Sequence, residues 1–128
     1  SIAALRLGAE SAFACDIDEK CVDVAYENAA LNGVGRDRYT VRWGDVLTDK
    51  ALQAEFGGGY DMVVANIVAD VIMGLSDKVR PFLKEGGLFL CSGIIDDRAE
   101  EVLQKLKSDG WDVLEQRTSE GWYSFLCR

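Results

Sequence analysis

The stretch Ser11-Ala12-Phe13-Ala14-Cys15-Asp16-Ile17-Asp18 decides the fold of this chain. A short run of small and apolar residues ends on a carboxylate, which reads as a strand buried on both faces rather than an alternating surface strand. Residues 18–32 then take up helical spacing. Cys21, Val22, Ala25, Ala29 and Asn32 fall on one face, and Asn32-Gly33 supplies a left-handed exit. A buried strand running straight into a helix is half of a βαβ unit.

Outward from that unit the alternation continues in both directions. Upstream, Ile2, Ala3, Leu5 and Leu7 lead as a helix to a stop at Gly8. Downstream, residues 38–43 alternate like a strand ending at Gly44-Asp45, and residues 48–56 form a short helix closed by Gly57-Gly58-Gly59. Residues 60–65 are a strand, most apolar at Met62-Val63-Val64-Ala65, ending at Asn66. A helix is expected from there to about residue 83, turning Val71, Ile72, Leu75, Val79 and Phe82 inward, with Pro81 near its end. Gly86-Gly87 opens a buried strand over residues 88–91, and residues 97–108 are amphipathic through Ala99, Val102, Leu103 and Leu106. Residues 111–118 and 122–126 face each other across Ser119-Glu120-Gly121 as a terminal antiparallel hairpin. Strands alternating with helices of this length give right-handed crossovers and a sheet covered on both faces. The expected fold is a doubly wound, mostly parallel α/β sheet with a carboxyl-terminal hairpin, spanning residues 1–128 as a single domain.

The composition fits and excludes. The chain has 128 residues, 48% of them apolar and 28% charged, which is ordinary globular usage and rules out a disordered tail or a fibre. The longest apolar runs are strand-sized and no positively charged, apolar, small-residue segment opens the sequence, so neither a membrane span nor a signal peptide is expected. A net charge of −8 disfavours direct nucleic-acid binding. The absence of histidine removes serine–histidine and cysteine–histidine catalysis and most zinc sites, so no metal is expected. Cys15, Cys21, Cys91 and Cys127 lack any C-x-x-C spacing and sit in or beside apolar runs, as buried free thiols of a reducing cytoplasm do.

In open α/β sheets ligands sit at the carboxyl ends of the strands, which directs attention to Asp16-Ile17, Gly44-Asp45-Val46, Asn66-Ile67 and Ser92-Gly93-Ile94. Asp16 can accept hydrogen bonds from two vicinal ribose hydroxyls, or it can cap the following helix with Glu19 completing a capping box, a role for which Asp18 competes. Asp45 can receive the exocyclic amine of a purine while Ile17 and Val46 sandwich the ring, or it can be a turn or cap aspartate. Asn66 can orient an incoming amine or cap the next helix. Gly33-Val34-Gly35 lacks the rest of a dinucleotide fingerprint, and Gly57 to Gly59 precedes a strand rather than following one, so neither is a phosphate cradle. A phospho-receiver would need a lysine after the strand that ends near Ser92, where Cys91-Ser92-Gly93 stands.

Ala14-Cys15-Asp16-Ile17-Asp18 and Glu27-Asn28-Ala29-Ala30-Leu31-Asn32-Gly33-Val34 resemble the second strand and helix of class I S-adenosylmethionine-dependent methyltransferases. Residues 60–69, Leu83-Lys84-Glu85-Gly86-Gly87, Leu90-Cys91-Ser92-Gly93-Ile94-Ile95 and Glu120-Gly121-Trp122 narrow the resemblance to the ribosomal protein methyltransferases that modify large-subunit protein eleven. The resemblance implies S-adenosylmethionine as cofactor, with Asp16 on the ribose, Ile17 on the adenine face, Asp45 and Val46 at the adenine edge, and Asn66 at the methyl-transfer site. It implies an N-methyltransferase acting on lysine or amino-terminal amines of a ribosomal protein in the cytoplasm. It also implies that the family's first strand and glycine-rich loop, and its separate substrate-recognition domain, would precede Ser1. Methyltransferases of RNA bases or glutamine usually carry two prolines and an aromatic after the asparagine, where Ile67-Val68-Ala69 stands here. A small-molecule methyltransferase, and a non-catalytic methyltransferase fold acting as an interaction module, are the other readings.

Overall fold

The computed structural model describes residues 1–128, which form two compact units, Ser1–Phe56 and Gly57–Arg128. The division falls at the glycine run, where Gly57 and Gly59 both take positive φ (69° and 81°) that other residues rarely adopt.

The first unit runs α1 (Ile2–Arg6), β1 (Ala12–Asp16), α2 (Glu19–Leu31), β2 (Tyr39–Trp43) and α3 (Lys50–Phe56). β1 and β2 pair in parallel from Ala12 opposite Tyr39 to Asp16 opposite Trp43, joined by the helical crossover α2. Leu5, Ala29, Val34, Tyr39 and Val41 form the buried cluster, with Val22, Ala25 and Tyr26 of α2 packed against it. The inward face of α2 is therefore set by Val22 and Tyr26, and Cys21, expected inside, is exposed. Two polar side chains bind the unit together. The Tyr26 hydroxyl donates to the Val41 carbonyl (3.1 Å) and accepts from the Val41 amide (2.8 Å), which satisfies both backbone groups of a half-paired strand. The Arg38 guanidinium donates to the carbonyls of Leu5, Ala9 and Glu10, and so ties the end of α1 to the start of β2.

The second unit runs β3 (Tyr60–Asn66), α4 (Ala69–Leu75), a 3₁₀ turn (Arg80–Phe82), β4 (Leu83–Ile95), α5 (Asp96–Ser108), β5 (Val113–Ser119) and β6 (Trp122–Cys127). Its sheet has the order β3-β4-β6-β5, with β3 and β4 parallel and the remaining pairs antiparallel. The register puts Ala65, Phe89, Cys91, Phe125 and Cys127 on one face, where they are buried with Ile72 and Leu75 of α4 and Ala99, Val102 and Leu106 of α5. β5 and β6 are joined through Glu120 (φ 50°) and Gly121 (φ 82°), and two consecutive positive φ values match the right-handed twist of a two-residue hairpin.

Two elements depart from the sequence reading. The helix expected to reach residue 83 ends at Leu75, because the Ser76 carbonyl accepts the Trp111 indole N–H (2.7 Å) and Pro81 cannot continue a helical ladder. β4 begins at Leu83 rather than after Gly86-Gly87, with a register shift between Tyr60 and Met62 of its partner that accommodates the glycine pair. The cysteines are free; Cys91 and Cys127 are buried as expected, whereas Cys15 is half-buried and Cys21 is exposed. No helix is long and apolar enough to cross a membrane.

Candidate functional site

In the first unit, four of the five residues singled out lie at the carboxyl end of one parallel strand pair. Asp16 closes β1 and is half-buried. Its Oδ1 accepts the Asp18 amide (2.9 Å), whereas Asp18 is the N-cap of α2 and accepts the Lys20 amide (3.0 Å). The capping role thus belongs to Asp18, and Asp16 is left as a turn carboxylate facing the strand ends.

Asp45 follows β2 after Gly44, whose amide donates to the Asp16 carbonyl (3.0 Å), so the loop leaves β2 directly beside the end of β1. Asp45 is exposed. Its Oδ1 accepts the Leu47 amide (2.9 Å), and its carbonyl accepts from Thr48 and Asp49. The turn reading of Asp45 is thereby realised, with the carboxylate still at the surface. Val46 is half-buried, and its carbonyl is held by the Gln53 side chain (2.6 Å). Both carboxylates act on one reporter: burial pushes the Cys15 thiol up, and the charges of Asp16 and Asp45 push it further.

Ile17 is 74% exposed and Trp43 is 60% exposed, two large apolar side chains left uncovered at adjacent strand ends. The Trp43 indole N–H donates to the Ile17 carbonyl (3.0 Å), which fixes the ring beside the Asp16-Ile17 turn. Sequence reasoning gave Trp43 no part. The available signal was an aromatic in register opposite Asp16, and that register is visible only once β1 and β2 are aligned.

In the second unit Asn66 closes β3 and is exposed, in register opposite Ser92 of β4. The following helix α4 has Val68 as N-cap with no side-chain cap bond, so Asn66 does not cap it. Its carboxamide instead lies against Gly93, where an added Cβ would stand 2.6 Å from Oδ1. The first turn of α4 is tied to α5: Arg98 donates to Asp70 (2.6 Å) and, within α5, to Glu101 (3.1 Å). The hydrogen bond and charge of Arg98 hold the Asp70 carboxyl below its ordinary value. No group of histidine, cysteine and acidic side chains could hold a metal ion.

The comparisons with known proteins cover the chain as a whole. The family model for ribosomal protein L11 methyltransferase matches residues 1–128, the whole chain. The chain belongs to this family. A ribosomal protein L11 methyltransferase of Thermoanaerobacter pseudethanolicus is 45% identical over 128 residues, covering all of this chain and 39% of the relative. That of Desulfitobacterium hafniense is 46% identical and is covered to 38%. The chain therefore spans about two fifths of the length of the curated relatives it matches. Among solved structures, a ribosomal protein L11 methylase of Lactobacillus delbrueckii subsp. bulgaricus superposes with a TM-score of 0.87 at 29% identity, over 99% of this chain and 62% of that one. An Aeropyrum pernix fibrillarin with natively bound S-adenosyl-L-methionine superposes with a TM-score of 0.73 at 12% identity, which is a likeness of fold. The L11 methyltransferase family and these neighbours agree with the α/β architecture of parallel strands and a carboxyl-terminal antiparallel hairpin.

Proposed function

We propose that residues 1–128 act together as the catalytic domain, or the larger part of it, of an S-adenosylmethionine-dependent N-methyltransferase whose substrate is a lysine or amino-terminal amine of a ribosomal protein in the cytoplasm. The observation that carries this reading is the end of the β1–β2 pair. There Asp16 and Asp45 flank the uncovered Ile17 and Trp43, a surface that joins hydrogen-bond acceptors for a sugar and a base to an apolar seat for a purine.

On this reading Asp16 accepts hydrogen bonds from the two ribose hydroxyls, Asp45 takes the exocyclic amine at the adenine edge, and Ile17 and Val46 lie on the adenine faces. The cofactor supplies an electrophilic sulfonium methyl group. Asn66 orients the nucleophilic amine, its carboxamide free of any capping duty. The chain contributes chiefly position and exclusion of water, which for an in-line displacement can supply much of the acceleration. With no histidine in the sequence, the proton of a lysine ammonium (pKa about 10.4) goes to water before attack.

Calorimetric titration of S-adenosylhomocysteine into this chain and into Asp16→Ala tests the reading. Micromolar binding that weakens about 10- to 100-fold in the variant is expected from losing hydrogen bonds to a charged acceptor. Equal binding by both proteins, or no binding by the folded parent chain, would overturn the placement of the cofactor.

A further inference from the structure

We propose that Gly93 is a positioning residue for the carboxamide of Asn66. The inference rests on the role given to Asn66 above and adds the element that holds that side chain in place. Three observations meet at this glycine. First, β4 loses register with β6 between Cys91 and Ile94, so Gly93 sits in a bulge at the carboxyl end of the strand. Bulges re-aim side chains and recur next to active sites. Second, Gly93 has a φ of +79°, a conformation that favours glycine.

The third observation separates Gly93 from most positive-φ glycines of the chain, Gly44 being the other that a Cβ would crowd, there at 3.0 Å from Leu52 and 3.1 Å from Asp49. At Gly33, Gly57, Gly86 and Gly121 an added Cβ would meet nothing within 4 Å. At Gly93 it would stand 2.6 Å from Asn66 Oδ1 and 3.5 Å from the amide nitrogen and the carbonyl oxygen of Ile67. Carbon–oxygen contacts settle at about 3.3–3.6 Å, so a methyl group there displaces the carboxamide by the better part of an ångström. The Ile67 backbone would already be in contact with the methyl, and the Asn66 carboxamide is the end of a side chain, so rotation of Asn66 is the available relief. Turn geometry alone would require glycine without any contact to Asn66. Asn66 Oδ1 standing in the space that a Cβ would fill is what ties it to the site.

The test uses this chain, Gly93→Ala, Asn66→Ala and the double variant. The sequence holds three asparagines, Asn28, Asn32 and Asn66. Asparagine-selective ¹⁵N labelling therefore gives three side-chain amide pairs, and Asn66→Ala assigns the one that matters. In Gly93→Ala the Asn66 pair is expected to move while those of Asn28 and Asn32 stay. The loss of stability caused by Gly93→Ala is expected to shrink in the Asn66→Ala background, where Oδ1 is gone. Methyl transfer by Gly93→Ala is expected to fall about 10- to 100-fold in kcat, the scale of a misplacement near 1 Å, with binding of S-adenosylhomocysteine unchanged.

An Asn66 pair that does not move, or an equal penalty in both backgrounds, overturns the proposal, since only the φ requirement would then be at work. If Gly93→Ala does not fold, the double variant decides: folding supports the proposal and failure overturns it. A moved Asn66 pair with unchanged transfer overturns the role of Asn66 instead, which separates the two failures.

Discussion

Asp70 lies four residues beyond Asn66 and meets Arg98 across the gap between α4 and α5. The hydrogen bond and charge of Arg98 lower its pKa, so the folded chain binds this proton less readily than the unfolded one. The stability it adds is fully present above the ordinary aspartate value of about 3.9 and is lost as the pH falls from there through the lowered value. Urea unfolding between neutral pH and pH 3 should therefore show a steeper loss for the parent than for Asp70→Asn, with the two converging below the lowered pKa. Parallel curves would mean that the ion pair does not form in solution. Such pairings were beyond the reach of the sequence, because Asp70 and Arg98 stand 28 positions apart and each alone is an ordinary surface charge. The strand-end polar residues were legible for the opposite reason. Asp16 and Asn66 directly follow a short apolar run and Asp45 follows an alternating one through Gly44, so their position along a strand is written locally even where their partners are not.

At the scale of elements, strands and helices whose signals are local came out where the pattern put them. β1 ends at Asp16, α2 stops before Asn32-Gly33, and the hairpin turns at Glu120-Gly121. α4 did not: Pro81 was visible, but the bond that holds the Ser76 carbonyl at its end comes from Trp111, 35 residues away. The Trp111 ring also packs on Phe89 (5.2 Å between centroids) and under the Arg80 guanidinium (3.9 Å), so one aromatic fastens the end of α4, the 3₁₀ turn and the sheet. Trp111→Phe keeps an aromatic ring in place and removes the indole donor. The buried Ser76 carbonyl then loses its partner, at a cost of about 1–3 kcal/mol. Urea denaturation should show that loss as a lower midpoint with an unchanged slope. No shift in midpoint would mean that water replaces the indole, or that α4 lengthens to use the carbonyl itself.

At the scale of the whole molecule the two units are unequally built. The buried apolar residues of Ser1–Phe56 are Leu5, Ala29, Val34, Tyr39, Val41 and Leu52, mostly small or medium side chains around a two-stranded sheet. Gly57–Arg128 buries Phe89, Phe125, Ile72, Ile94, Leu106 and Val102 almost completely, around four strands and two helices. At roughly 1.5–3 kcal/mol for each large apolar side chain buried, the second core is the more strongly held. Two-stranded sheets are marginal by themselves, and the first unit relies on Tyr26 and Arg38 to satisfy backbone groups that a further strand or helix turn would otherwise pair. Native-state hydrogen exchange should accordingly show the amides of β1 and β2 opening at a lower free energy than those of β4 and β6. S-adenosylhomocysteine seated on the end of the β1–β2 pair should slow exchange there first, since a ligand that binds only the folded form stabilises whatever it touches. Uniform protection across both units would mean that they unfold as one. Protection gained in β4 and β6, with none in β1 and β2, would move the nucleoside away from Asp16 and Asp45.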